Sequence, residues 1–277
     1  MTIAFITGAN KGLGRETARR LIELGHTALL GARDPERGRQ AAAALGARFV
    51  RIDVTDDASV AAHEGRIDVL INNASIHGPS GDATALTGTD ALNVFDVNLV
   101  GTVRTTNAFL PLLRRSPDPV IINVSSGMGS LAYTHDPSRA ESSVIAPLYT
   151  ASKAALTMLT TQYAKALPGI HINAADPGYA ATDLNGNSGP QAVTEGTDAI
   201  ITLATENPAR APDASSTEQA RSPGPEPATY REGDLQRTPP RRVPLCNHKQ
   251  ADQRRNSRSR PRTWCMNRSS RDPVFAG

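Results

Sequence analysis

Two rhythms of apolar residues alternate along this chain. Residues 3–6, 27–30, 48–52, 68–71, 120–124 and 170–174 are short runs of β-type residues, whereas 13–24, 35–45, 92–113 and 148–167 space their apolar positions three and four apart. The first set predicts strands and the second helices. Runs such as Val120-Ile121-Ile122-Asn123-Val124 lack a polar face, as expected of strands covered on both sides. Strands alternating with helices predict an α/β fold: one Rossmann-type doubly wound parallel sheet in a single domain, with right-handed crossovers placing helices on both faces. Such sheets take ligands beyond the carboxyl ends of their strands, so the loops after each strand are the places to look for chemistry.

Composition changes this picture at one point. After about residue 205 the apolar periodicity stops, and Pro, Ser, Arg and Gly dominate. Residues 1–205 carry 16 Lys/Arg against 19 Asp/Glu, but 206–277 carry 14 against 8, together with half of the 20 prolines. The net charge of +3 therefore belongs to the tail. Its composition cannot bury enough surface to fold alone, which predicts a catalytic domain over 1–205 and a disordered basic tail over 206–277. The tail could read as an arm for nucleic acid, but its aromatic residues are sparse (Tyr230, Trp264, Phe275), and a solvated extension is the preferred reading. Both cysteines, Cys246 and Cys265, lie in it, so the main domain has no disulfide and no thiol ligand, and the six His residues lack metal-ligand spacing. No stretch has the length of a membrane span, and residues 1–14 lack a secretory pattern, so a cytoplasmic setting is expected.

The first strand runs into Thr7-Gly8-Ala9-Asn10-Lys11-Gly12-Leu13-Gly14 and directly into a helix. Glycines let a backbone turn tightly and approach a pyrophosphate, and the helix N-terminus offers free amides and positive dipole to its charge. Tyr149 and Lys153 stand four residues apart, on one face of the fourth helix. A phenol titrates near pH ~10, and a fixed cation beside it favours phenolate, so the pair suits proton transfer.

The spacing of these motifs resembles the short-chain dehydrogenase/reductase family, with a carbonyl-reductase-like branch indicated by Asn10-Lys11 and by the 131–147 insert between Ser126 and Tyr149. The resemblance implies an oxidoreductase that interconverts a carbonyl and an alcohol using NADP(H), with NAD(H) possible, on a small-molecule substrate. It implies cofactor contacts from Gly8, Asn10, Lys11, Gly12, Leu13 and Gly14, and from Arg33, which can fork onto a 2′-phosphate. Asp34 holding the ribose of NAD is the alternative. Asp53 and Val54 would hold the adenine edge, Asn73 and Ala74 would close the fourth strand, and Pro177, Gly178 and Thr182 would lie along the nicotinamide. Without the family, Asp53 could equally be a helix cap and Asn72-Asn73 turn formers. Tyr149 would act as general acid/base, Ser126 would polarise the carbonyl, with Ser125 the less favoured serine. Lys153 would bind the ribose and lower the phenol's pKa, and Asn98 would hold a water leading to Lys153.

Several features depart from that pattern. The link between Asp53 and Asn72 is short, which predicts a stunted helix around 59–63. The last strand that the family adds to its sheet has only a faint candidate at 228–235, in sequence that reads like an extension or a shifted frame. The insert makes a monomer plausible beside the homodimer found in many relatives. A non-catalytic NADP-binding regulator on the same fold is the competing class, against which the full Asn/Ser/Tyr/Lys set argues.

Overall fold

The computed structural model describes residues 2–60 and 65–205. The tail, the 228–235 candidate and both cysteines lie outside the described residues. Among the described residues one all-parallel sheet has the order β3-β2-β1-β4-β5-β6, formed by β1 Ile3–Ile6, β2 Thr27–Ala32, β3 Arg48–Arg51, β4 Val69–Asn72, β5 Val120–Val124 and β6 His171–Ala175. This is the doubly wound architecture expected. The strand order reverses between β1 and β4, and the crevice beyond their carboxyl ends is the topological switch point.

Around the sheet lie α1 Gly12–Glu23, α2 Pro35–Leu45, α3 Asp57–Val60, α4 Gly88–Phe95, α5 Gly101–Leu113, α6 Leu131–His135, α7 Pro147–Ala166, α8 Val193–Gly196 and α9 Asp198–Thr205. Successive strand residues point to opposite faces, so each strand feeds two cores. Ala4, Ile6, Val69, Ile71, Ile122 and Val124 pack with Leu21 of α1, Ala41 of α2 and Ile200 of α9. Phe5, Leu70 and Ile121 pack on the other side with Phe109, Leu112 and Leu113 of α5. Phe5 and Phe109, almost fully buried, meet with ring centroids 4.4 Å apart. Removing either ring would cost about 3–5 kcal/mol, since a packed core does not collapse onto the void.

Local signals set most boundaries. Asp34 accepts the amides of Glu36 and Arg37 at 2.9 and 3.1 Å, Pro35 opens α2 with its φ already set, and Gly46 ends it at φ 63°. The expected helix over 92–113 is different in form. It begins earlier, because Thr87 and Asp90 build a reciprocal cap, and it is divided by a π-helical turn at Asp96–Val100. That wider turn carries Asn98, and Gly101 just after it packs against Val54 where a Cβ would come within 2.9 Å of Cγ2. Of the helix expected around 59–63, α3 covers the first residues, and 61–64 lie outside the described residues.

Candidate active site

The Gly-rich turn is built from β1 and β4 together. Thr7 Oγ1 accepts the amides of Asn73 and Ala74 at 2.9 and 3.0 Å, and Asn73 Nδ2 donates to the carbonyls of Thr7 and Gly8 at 2.9 and 3.2 Å. The side chain of Asn73 thus holds the turn from behind. Gly8 and Gly12 have φ of 64° and 54°, in the left-handed region that side chains disfavour. At Gly14 a Cβ would lie 2.5 Å from Asn73 Nδ2 and 2.7 Å from the Gly8 carbonyl oxygen, so this glycine serves close packing of α1 on the turn. Lys11 precedes α1 without a side-chain cap, which leaves the helix N-terminus facing the cleft as a receiver of negative charge.

That cleft, about 870 Å³, runs from the turn to Tyr149 and is lined by Gly8, Asn10, Lys11, Gly12 and Leu13 at one end. The volume lies in the upper part of the usual range for ligand sites, about 300–1,000 Å³. Arg33, Asp53, Val54, Asn73 and Ala74 also line it, as does Arg37, which sequence reading passed over. Arg33 is exposed and, among the described residues, has no ion pair. Asp34 is engaged by the start of α2 and stands 3.6 Å from Arg37 Nε. Asp53 Oδ1 accepts Thr55 N at 3.0 Å and Thr55 Oγ1 at 2.7 Å, a local turn that caps no helix.

At the far end α7 brings Tyr149 and Lys153 to one face, both buried. Ser126 is half-buried and close enough to the Tyr149 hydroxyl to pull its pKa down, and its Oγ accepts Met128 N at 3.2 Å. Ser125 rather than Ser126 is among the residues that line the cleft, but its hydroxyl is engaged, with Oγ 2.7 Å from Thr157 Oγ1 and 3.3 Å from the Lys153 carbonyl. Lys153 Nζ donates to the Val124 carbonyl at 2.7 Å and lies 5.5 Å from the phenol centroid. Burial lowers its pKa to about 8, against a smaller opposite pull from Asp176.

The expectation that Lys153 pulls the phenol below its ordinary value is reversed. Burial pushes Tyr149 up to about 12; the nearby Ser126 hydroxyl opposes this, and the negative charge of Asp176 adds to it. The ammonium is directed at a carbonyl, and desolvation of phenolate dominates.

Asn98 is buried and its side-chain amide is fully engaged. Nδ2 donates to the Ile76 carbonyl at 2.9 Å and to Ser152 Oγ at 3.0 Å, while Oδ1 accepts Ile76 N at 2.8 Å and Ser75 Oγ at 3.1 Å. Ser152 Oγ in turn donates to the Tyr149 carbonyl at 2.7 Å. The residue therefore ties the loop after β4 to α7. After β6, Pro177 and Thr182 line the cleft, while Gly178, exposed and at φ 67°, is not among its lining residues, and a Cβ there would meet the Gln191 side chain. Lys11 Nζ reaches Asp183 at 3.0 Å, a pair between the Gly-rich turn and the segment after Thr182.

Beneath the site, Asn72 and Asn123 face each other on β4 and β5. Asn72 Nδ2 donates to Asn123 Oδ1 at 2.9 Å, Asn123 Nδ2 to Thr160 Oγ1 at 2.9 Å, and Thr105 Oγ1 to Asn72 Oδ1 at 2.6 Å. A polar residue in an otherwise apolar strand run was the available signal for this network, and Asn123 carried it unread.

The short chain dehydrogenase family model matches residues 2–192. The chain is a short-chain dehydrogenase. As a member of that family it is an oxidoreductase of alcohol and carbonyl groups. A short-chain dehydrogenase of Penicillium roqueforti, anuI, is 34% identical to it over 74% of this chain and 88% of its own length. The (-)-isopiperitenone reductase of Mentha piperita is 31% identical over 73% and 91%. Among solved structures, the NADPH-bound carbonyl reductase from chicken fatty liver superposes with a TM-score of 0.67 at 26% identity, over 74% of this chain and 93% of that one. No helix among the described residues of this short-chain dehydrogenase is long and apolar enough to cross a membrane.

Proposed function

We propose that the chain is an NADPH-dependent reductase that interconverts a small-molecule carbonyl and its alcohol, with Tyr149 as the general acid/base. The observation that carries this reading is the buried pair of Tyr149 and Lys153, with the half-buried Ser126 beside the phenol, at the end of a cleft that begins at an uncapped helix N-terminus. The residues present fit a dinucleotide: the turn of Gly8 and Gly12 admits no side chain without strain, and Arg33 offers an exposed guanidinium for a 2′-phosphate. The NADPH in the chicken carbonyl reductase structure agrees with that preference.

A bound nicotinamide supplies the hydride. The chain's part is placement and proton handling. Tyr149 keeps its proton at neutral pH because burial disfavours phenolate, and a phenol in that state is a donor for a carbonyl oxygen. Ser126, beside the same hydroxyl, polarises that oxygen. Lys153, with its depressed pKa, holds the proton that restores the phenol and reaches the ribose. Asn98 fixes the loop and helix around them; any water it holds for the relay meets its backbone, because its side chain is engaged. Asp53, Val54, Asn73 and Ala74 form the adenine side, and Pro177 and Thr182 the nicotinamide side. The catalytic domain is read as residues 1–205, in accord with the family match ending at 192. The protein is read as a cytoplasmic enzyme.

The test is oxidation of NADPH and NADH, followed by their absorbance, against ketones, aldehydes and quinones, with Tyr149→Phe in parallel. Turnover that favours NADPH and is abolished in the variant is expected. Undiminished turnover in Tyr149→Phe would remove the acid/base assignment.

A further inference from the structure

His77 is half-buried in the segment that follows β4 and lines the same cleft as Tyr149. Its imidazole lies against the Tyr149 phenol with ring centroids 5.0 Å apart and planes 20° from parallel, a stacked pair. The partners are held by a common clamp. Asn98 grips the peptide group on each side of Ile76, immediately before His77, and through Ser152 Oγ it reaches the main chain of Tyr149 itself. On the other side Gly78 turns at φ 69° with Val94 Cγ2 only 2.3 Å from where a Cβ would stand, and its carbonyl oxygen is 3.2 Å from His77 Nδ1. One buried amide therefore sets the position of both rings.

We propose that His77 is a positioning residue for the reaction at Tyr149: its ring, stacked on the phenol, keeps the hydroxyl directed at Ser126 and at the substrate oxygen. The proposal rests on the acid/base assignment of Tyr149. A ring flanked on one side only can swing about its χ angles, and proton transfer decays steeply once donor and acceptor leave hydrogen-bond reach. Stacked aromatic pairs supply restraint of the order needed to matter for a rate. The competing geometry is that the imidazole occupies space needed by the cofactor ring, in which case removing it would tighten cofactor binding.

The experiment compares His77→Ala and His77→Phe with Tyr149→Phe in the full chain. His77→Ala is expected to lower kcat about tenfold, equivalent to ~1.4 kcal/mol, with KM and the NADPH Kd from fluorescence titration moving by no more than about twofold. His77→Phe, which keeps a flat ring, is expected to regain most of kcat. Ring-labelled tyrosine NMR gives a readout independent of turnover. The Tyr149 signal, identified by its loss in Tyr149→Phe, should shift in His77→Ala as the neighbouring ring current disappears. An unchanged kcat in His77→Ala, an unmoved Tyr149 signal, a tighter NADPH Kd, or a His77→Phe as slow as His77→Ala would each overturn the proposal. Failure of the underlying assignment would look different, because Tyr149→Phe itself would then turn over normally.

Discussion

Replacing Arg33 by alanine tests the cofactor preference at the residue that bears it. Arg33 stands at the end of β2 on the lining of the cleft, exposed and without an ion pair among the described residues, so its loss should leave no buried charge behind. Its neighbour Asp34, the residue an NAD preference would need, is spent on the amides of Glu36 and Arg37 and faces Arg37 as well. A hydrogen bond between charged groups contributes about 1.5–3 kcal/mol, and solvent screening at an exposed position puts the value at the lower end. About 1.4 kcal/mol corresponds to a tenfold change in Kd. Fluorescence titration of the full chain should therefore find NADPH binding weakened roughly tenfold by Arg33→Ala, NADH binding changed by no more than about twofold, and the difference narrowing as salt is added. Arg37→Ala should have the smaller effect, because Arg37 is already held by Asp34. Equal losses for both cofactors, or none for NADPH, would refute the assignment of Arg33 to the 2′-phosphate.

The buried lysine should leave a mark on stability. Lys153 titrates near 8 when folded and near 10.5 when exposed, so between those values the unfolded chain binds more protons and stability rises with pH. Tyr149 has the opposite sign: its folded value near 12 exceeds 10.0, so stability falls as pH climbs through that interval. Thermal melts of Lys153→Met without added cofactor should exceed the parent near neutrality, by at most roughly 3 kcal/mol of stability, and lose that advantage above pH about 10; a parent melting curve flat with pH between about 8 and about 10 would argue against the buried ammonium. Gly14→Ala forces a Cβ into Asn73 Nδ2 and the Gly8 carbonyl, so a loss of about 1–3 kcal/mol in denaturant unfolding is expected, together with loss of cofactor binding. Asn123→Leu removes one hydrogen bond each from Asn72 Nδ2 and Thr160 Oγ1, which keep Thr106 Oγ1 at 3.3 Å and the Leu156 carbonyl at 2.7 Å, so about 0.5–1.5 kcal/mol per lost bond is expected by the same assay.

The layered α/β fold, the strand positions and the Gly-rich turn were legible in the residues themselves. Those features rest on short-range physics: side-chain alternation along a strand, 3.6-residue periodicity along a helix, and the steric freedom of glycine at Gly8 and Gly12. The Tyr149/Lys153 pair was legible for the same reason, since four residues on a helix make one turn. The helix cap at Asp34 went unread in the residues, where its carboxylate was considered only for the ribose of NAD, and α2 shows it accepting the amides of Glu36 and Arg37. What only the tertiary structure decided are relations between residues far apart in the chain. Asn98 meets Ser152 across 54 positions, Asn72 meets Asn123 across 51, and His77 meets Tyr149 across the cleft. No periodicity encodes such pairs, because they depend on which strands the crossovers bring side by side. The direction of the Tyr149 shift belongs with them: a cation four residues away predicts a lower pKa, but the depth of burial, set by the packing of α7 against the sheet, raises it.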